Sequence, residues 1–312
     1  MTFHLFGNIL TSYGTAANNR GENEGNITTL QKIFWKNQVH TTVSAEAIRW
    51  ALRYYWQTAG NGYEVNRIWD ESGPEPDNRW KDLNFDPNLY IDDDVLGFMR
   101  AEGAKADASD ESAGKGKGRG KKEQKGTTTA RRGVLEVTRA VSTQPYSGDI
   151  TFNAKSGKKG STSLYGTEVH ATRYQYGFAM TPARLYRPER VIAVLKGIIA
   201  LGEVAGNHSR FLYDFSPDSL VLRWTHDFSP RLLYCFEEDP EGNLSMPDLI
   251  RRVQVGDIDP KELWIAGSVA VTEDGEKLKQ LGAHVDPGIK STATQVIEQI
   301  QADLASDQKG VA

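Results

Sequence analysis

The sequence predicts an α+β protein built on a ferredoxin-like (RRM-like) domain. Three observations predict it: an apolar strand at the start of the chain, two amphipathic helices far apart, and extended segments between and after them. In order they read strand, helix, insertion, strand, hairpin, strand, helix, strand, which is the βαββαβ order around one long interruption.

The first strand spans Phe3 to Leu10, where Phe3, Leu5 and Ile9 alternate with His4, Phe6 and Asn8. An Asn/Gly-rich loop (Ser12 to Asn26) follows, then a second extended piece from Lys32 to Val43. Ser44 is placed to cap a helix, with Glu46 in its first turn matching the helix dipole. Ile48, Ala51, Leu52 and Tyr55 recur at i, i+3, i+4 and i+7, while Glu46, Arg49, Arg53 and Gln57 share the opposite stripe. The apolar stripe has to pack on a sheet, which leaves the arginines free.

After Gly60 the pattern dissolves. Gly73-Pro74-Glu75-Pro76 is a turn signal, and residues 103–126 read as a mobile, solvated, basic loop inside a larger insertion. Val134 to Ser142 and Thr167 to Met180 read as strands, separated by a Gly/Ser/Lys-rich hairpin or projection. Pro188 opens a second helix through Leu201 that buries Val191, Val194, Leu195 and Ile198. Strands follow at Ser219 to Thr225 and Arg231 to Phe236. A helix at Met246 to Val253, a strand at Leu263 to Val271 and a last helix with the stripe Ile289, Val296, Ile297, Ile300 and Leu304 complete the chain.

The 312 residues are 38% apolar, enough for an ordinary core in one large domain or two. A formal net charge of −4 argues against indiscriminate nucleic-acid binding. The charge is segregated, however: Asp70 to Glu111 is acidic and Lys115 to Arg132 basic. A single cysteine, Cys235, the lack of an apolar run near 18 residues, and a start without a secretory signature point to the reducing cytoplasm and to no membrane partner.

Several residues are candidates for chemistry. Arg49 and Arg53 lie one helical turn apart beside a polar loop and a helix start with unpaired N–H groups, which suits successive phosphates; the plain alternative is a solvated stripe paired with Glu46. Asn18, Asn19 and Arg20 offer donors for phosphate or ribose, although Asn/Gly loops are usually only loops. Gly202 to Arg210 ends a helix with two glycines, then places Gly206, Asn207, His208 and Arg210 where a nucleic-acid backbone can approach. His208 reads there as a hydrogen-bonding group rather than a base, and a helix cap with a turn is the competing reading. Lys115, Lys117, Arg119, Lys121, Lys122 and Lys125 form a glycine-spaced basic tract, a clamp or a soluble linker, and Arg131 and Arg132 abut the next strand.

Asp92-Asp93-Asp94 is the enzymatic temptation, since clustered carboxylates hold Mg²⁺. On an extended strand at most two of the three converge, so a structural role is favoured. The histidines show no ligand spacing and no Walker or GxGxxG loop occurs. No catalytic residue, metal or cofactor is therefore expected.

Three runs carry a resemblance: Gly7-Asn-Ile-Leu-Thr, Ala17-Asn-Asn-Arg-Gly-Glu-Asn-Glu-Gly-Asn, and Val43-Ser-Ala-Glu-Ala-Ile-Arg-Trp-Ala-Leu-Arg. They resemble the start of the DevR-type family of CRISPR Cascade backbone proteins, the Cas-seven group. Residues 131–142, 165–177 and 202–217 resemble it more loosely, and Gly202 to Arg210 looks like the glycine-rich loop of the RAMP superfamily. The resemblance implies a hand: a palm from 1–59 and 131–240, fingers at 60–130, a thumb at 143–166 and a C-terminal extension at 241–312. It implies that Asn18, Asn19, Arg20 and Ser44 grip a guide RNA (crRNA). It further implies a type I-B subunit that polymerises with copies of itself in a helical filament, meets other Cascade subunits, and presents the guide to target DNA. Two alternatives stand beside it: a guide-directed, Mg-dependent endoribonuclease using the aspartates, and a CRISPR-linked regulator, for which no helix-turn-helix is visible.

Overall fold

The structure is a computed structural model and describes residues 2–17, 23–101, 128–155 and 163–309. The first part of the chain provides β1 (His4–Thr11), the hairpin β2 (Lys32–Trp35) and β3 (Gln38–Val43), and α1 (Ala45–Thr58). The insertion carries β4 (Arg67–Asp70), β5 (Asp77–Trp80), α2 (Ile91–Val95), β6 (Gly97–Ala101) and β7 (Thr128–Arg132). Next come β8 (Glu136–Val137), β9 (Ala140–Ser142), β10 (Asp149–Lys155), β11 (Ser163–Thr172) and β12 (Tyr174–Met180). The remainder holds α3 (Arg190–Ile199), α4 (Gly206–Arg210), β13 (Pro217–Thr225), α5 (Pro247–Gln254), β14 (Leu263–Gly267), α6 (Glu273–Gln280), β15 (His284–Asp286) and α7 (Ile289–Lys309).

β1 is buried at every position, with Leu5 and Ile9 entering one core and Phe6 and Leu10 the other. A strand apolar on both faces belongs in the middle of a covered sheet. The main sheet runs β15-β14-β13-β1-β12-β9-β3-β2, with β8 also paired to β12. Its pairings are antiparallel except β14 with β15. On one face Ile48, Leu52 and Trp56 of α1, Val194 and Ile198 of α3, and Val296 and Ile300 of α7 pack on Leu5, Ile9, Tyr176 and Phe178. On the other, Leu249 and Ile250 of α5 and Leu278 of α6 pack on Phe6, Leu10 and Val221. The fold is thus a three-layer, mixed α+β arrangement.

Gly7 sits where β1 crosses beneath the Phe178 ring, and a Cβ there would lie 2.2 Å from that ring. Phe178 is itself fully buried, so it has nowhere to go. Gly7→Ala is expected to cost about 1–3 kcal/mol by overpacking, read as a lower urea midpoint at unchanged slope.

Several expectations need correction. Lys32 to Val43 is a hairpin, turning at Lys36 and Asn37 with φ of 46° and 65°. Val134 to Ser142 is broken into β8 and β9, because the Thr138 hydroxyl accepts the Gly177 amide at 2.8 Å and replaces a ladder bond. Thr167 to Met180 is two strands meeting at Arg173, and the first begins at Ser163, paired with β10. Arg231 to Phe236 is not a strand: Arg231 and Tyr234 adopt φ of 53° and 55°, and the Tyr234 amide donates to Asn8 Oδ1 at 3.0 Å. Leu232, Cys235 and Phe236 therefore lie on the sheet face instead of within the sheet. Burial there pushes the Cys235 thiol up to about 12. The strand at Leu263 ends at Gly267, and Ser268–Val271 is a 3₁₀ turn.

The loop from Ser12 to Asn26 is partly paired, with Ala16 opposite His170 on β11 and Glu24 opposite Ile27. Asn18, Asn19, Arg20 and the basic loop 103–126 lie outside the described residues. Among the described residues no helix is long and apolar enough to cross a membrane.

Candidate functional site

An open cleft of about 990 Å³ lies against the N-terminal half of α1. One wall is the helical stripe Glu46, Arg49, Trp50, Arg53 and Tyr54. The facing wall is one side of the β4–β5 hairpin. Arg67 pairs with Trp80 and Trp69 with Asn78, so these four residues point the same way while Ile68 and Arg79 point the other. Leu96 to Met99 with Arg131 and Gly133 form the base, and Glu203, Ala205 and Gly206 form a rim. Gln57 fixes the two walls: its amide donates to Trp69 O and accepts from Trp69 N, both at 2.8 Å, as a neighbouring strand would. Trp50 stacks on Tyr54 at 5.3 Å and meets Trp69 edge-on at 5.6 Å.

The aspartate triplet holds the insertion to the rest of the protein. It lies on the short helix α2, not on an extended strand, so the three carboxylates fan outward in different directions. Asp92 accepts from the Asn66 and Arg67 amides at 2.7 and 3.0 Å and from Arg53 Nε at 3.2 Å. Asp93 accepts from Asn66 Nδ2 at 2.8 Å, and burial raises its pKa to about 7. Asp94 accepts from Arg131 and Arg190 at 2.9 and 2.8 Å and from the Tyr186 amide at 2.9 Å. Almost every oxygen is thus occupied by a protein donor; Asp93 Oδ1 is the exception. Among the described residues no group of three or more His, Cys, Asp or Glu is arranged to hold a metal ion.

The expectation of two free arginines on α1 is corrected in the same way. Arg53 is ion-paired with Asp92 and only 14% exposed, because the insertion folds back onto the polar stripe. Arg49 donates one Nη to Leu96 O, in a gap kept open by Gly133, where a Cβ would meet Leu96 O at 2.4 Å. Burial lowers the pKa of both, yet both remain cations. Arg131 is held by Asp94 and lies over the Tyr186 ring at 4.6 Å, while Arg132 points away and pairs with Glu136. Arg49 and Arg67 are the cleft cations that form no ion pair among the described residues.

Ser44 caps α1 as expected, its Oγ accepting from the Ala47 amide at 3.2 Å. Gly206 lines the cleft and Arg210 is exposed at the far end of α4. The side chain of Asn207 lies outside the described residues. His208 does not reach solvent: it is fully buried between Tyr174, Tyr213 and Phe215, with ring centroids 5.7, 5.4 and 5.9 Å away. Neither ring nitrogen has a hydrogen-bond partner among the described residues. It cannot be the surface hydrogen-bonding group read from the sequence; it anchors the Gly202–Arg210 segment from below. The structure therefore gathers Ser44, Arg49, Arg53, Arg131 and Gly206 around one cleft and leaves out Arg132, His208 and Arg210.

Desolvation holds the His208 pKa at about 4, and likewise His170, against an ordinary 6.5. The unfolded chain then binds more protons between those values, so the stability these histidines confer is complete above pH 6.5 and is lost as the pH falls toward 4. Asp93, with its raised pKa, opposes them in this window but is one group against two. The urea midpoint is expected to be lower at pH 5 than at pH 7.5, and His208→Phe is expected to flatten that slope.

Sequence reasoning missed Arg67, Trp50, Trp69 and Trp80. A signal existed: Arg67-Ile-Trp69 and Asn78-Arg-Trp80 alternate with period two on either side of the Gly73-Pro74-Glu75-Pro76 turn.

Fold and site together define a class: a mixed α+β protein with an open cleft at the start of its first helix, lined by arginines, glutamates and aromatic side chains. No protein-family model matches the chain. The chain is 47% identical over 306 residues to "CRISPR-associated protein Cas7/Cst2/DevR" of Myxococcus xanthus (strain DK1622), covering 93% of this chain and 95% of that one. This chain belongs to the Cas7/Cst2/DevR family, as the runs between Gly7 and Arg53 led us to expect. Two solved structures share the fold at low identity. One, described as "CRISPR RNA-guided surveillance complex", has a TM-score of 0.52 at 13% identity over 96% of this chain and 99% of that one. The other, "CRISPR RNA-guided surveillance complex, pre-nicking", has a TM-score of 0.57 at 10% identity over 95% and 100%.

Proposed function

We propose that this protein is a guide-RNA-binding, non-catalytic backbone subunit of a type I-B CRISPR Cascade effector. The observation that carries the reading is the open cleft at the Ser44 end of α1, where Arg49 and Arg67 form no ion pair among the described residues, in a chain of the Cas7/Cst2/DevR family. Guanidinium groups beside a helix start hold a ribose-phosphate backbone without reading its bases, which leaves sequence to base pairing. The strand order β13-β1-β12-β9, with α1 and α3 on one face, supports a ferredoxin-like palm. In this reading residues 60–130 are the fingers, the β10–β11 hairpin is the thumb, and residues 241–312 are a C-terminal extension. Copies bind head-to-tail along crRNA, meet other Cascade subunits, and expose the guide to target DNA in the cytoplasm.

The engagement of Asp92 and Asp94 by arginines and amides favours a scaffold over a Mg-dependent ribonuclease, since those oxygens are not left for a cation. Asn18, Asn19, Arg20, Arg132, Asn207 and Arg210 remain proposed guide contacts. The test is purification of the full chain from cells carrying a CRISPR array, with sequencing of the RNA that accompanies it. Short RNAs ending in repeat sequence are expected; an RNA-free monomer would contradict the reading.

A further inference from the structure

We propose that Asp93 is a proton-operated latch on the insertion: its carboxyl, when protonated, holds the start of β4 and the end of β5 against α2, and that hold loosens when it ionises. The inference is independent of what the cleft binds. It starts from an inequality within the aspartate triplet. Asp92 meets Arg53, and Asp94 meets Arg131 and Arg190. Asp93 is 1% exposed and forms no ion pair among the described residues. Its Oδ2 accepts from the neutral Asn66 amide, and its Oδ1 is buried with no hydrogen-bond partner among the described residues. A charge there is desolvated on one oxygen and held by a single neutral donor on the other, whereas a neutral acid needs only the Asn66 bond.

Asn66 carries the effect of the proton beyond Asp93. It is fully buried just before β4; its Nδ2 donates to Asp82 O at 2.9 Å as well as to Asp93, and its Oδ1 accepts from the Asp82 amide at 2.8 Å. Its backbone amide donates to Asp92 Oδ1 at 2.7 Å, and its carbonyl accepts from the Lys81 amide at 2.9 Å. One residue thus clips both ends of the β4–β5 hairpin to α2, and its side-chain amide cannot turn over without breaking the Asp82 pair. Asp93 Oδ2 is therefore fixed as an acceptor, which puts the proton on Oδ1. The charges around Asp93 favour that proton. Asp92, beside it on α2, and Asp82, bonded to Asn66, both repel a carboxylate. Arg53 of α1 acts the other way from its ion pair with Asp92, and Lys81 is engaged at the surface by Glu64. Burial, with these carboxylates, raises the Asp93 pKa from an ordinary 3.8 to about 7.

Opening of the insertion returns Asp93 to water and to its ordinary pKa, so opening releases a proton between pH 3.8 and about 7. The latch is therefore complete below pH 3.8, weakens as the pH rises, and is lost once the pH passes about 7. The experiment is amide hydrogen exchange of the full chain at about pH 5.5 and about pH 7.5, with protection factors corrected for intrinsic exchange and read over residues 64–82. Wild-type protection there is expected to fall by about tenfold or more between the two conditions. Asp93→Asn keeps the shape and the acceptor for Asn66 without a charge, and is expected to protect these residues equally in both. Wild-type protection that does not fall would overturn the latch, and so would a fall of the same size in Asp93→Asn. Should Asp93→Asn fail to fold, carbon-13 titration of the wild-type Asp93 carboxyl decides: a midpoint near 7 supports the latch, and one near 3.8 overturns it.

Discussion

Asp94→Ala is expected to destabilise the protein by about 3–5 kcal/mol, since it leaves buried charge without its partner. Asp94 is fully buried and meets Arg131, Arg190 and the amides of Tyr186 and Arg187. Arg190 is only 6% exposed, and its other acceptors are the carbonyls of Pro87, Asn88 and Leu89. These carbonyls bond a guanidinium but do not neutralise it. The loss should appear as a large drop in urea midpoint, whereas Glu75→Gln, at an exposed turn of the same insertion, should move it by less than about 0.5 kcal/mol. An Asp94→Ala protein as stable as the wild type would remove α2 as the anchor between insertion and sheet. The triplet would then again be open to a catalytic reading.

The second large effect concerns RNA. Arg49→Gln combined with Arg67→Gln is expected to weaken single-stranded RNA binding by tenfold or more and to reduce the slope of log affinity against log salt by roughly two cations' worth. Glutamine keeps a donor for Leu96 O, so the base of the cleft stays formed. The pair matters. Reversing the charge of Arg53, which the helical stripe alone suggests, would set a carboxylate against buried Asp92 and unfold the insertion instead of testing the cleft. Unchanged salt dependence in the Arg49/Arg67 variant would remove both residues from the phosphate path.

What the sequence showed and what it hid follow one physical division. α1, α3 and α7 were legible because their apolar residues recur at the helical period and face one layer, and β1 because it is apolar on both of its faces. The Ser44 cap was legible because capping is local. The pairing of Arg53 was not, because a polar helical stripe has the same pattern whether water or a folded-back insertion covers it. α2 was hidden for a related reason: Ile91–Val95 has three acids and no helical period, and it is held by bonds to Asn66, Arg131 and Arg190 from distant parts of the chain. His208 sits among polar neighbours in sequence, and rings near positions 174 and 213–215 decide its burial. Arg231 to Phe236 misled because its apolar residues suit a strand while two left-handed residues turn it onto the sheet face.

Photo-cross-linking single-stranded RNA to the full chain, with the modified peptides mapped by mass spectrometry, tests the central claim most directly. Adducts are expected within residues 44–54 and 67–80, the two walls of the cleft. Adducts confined to the α5–α6 layer on the opposite face of the sheet would contradict it.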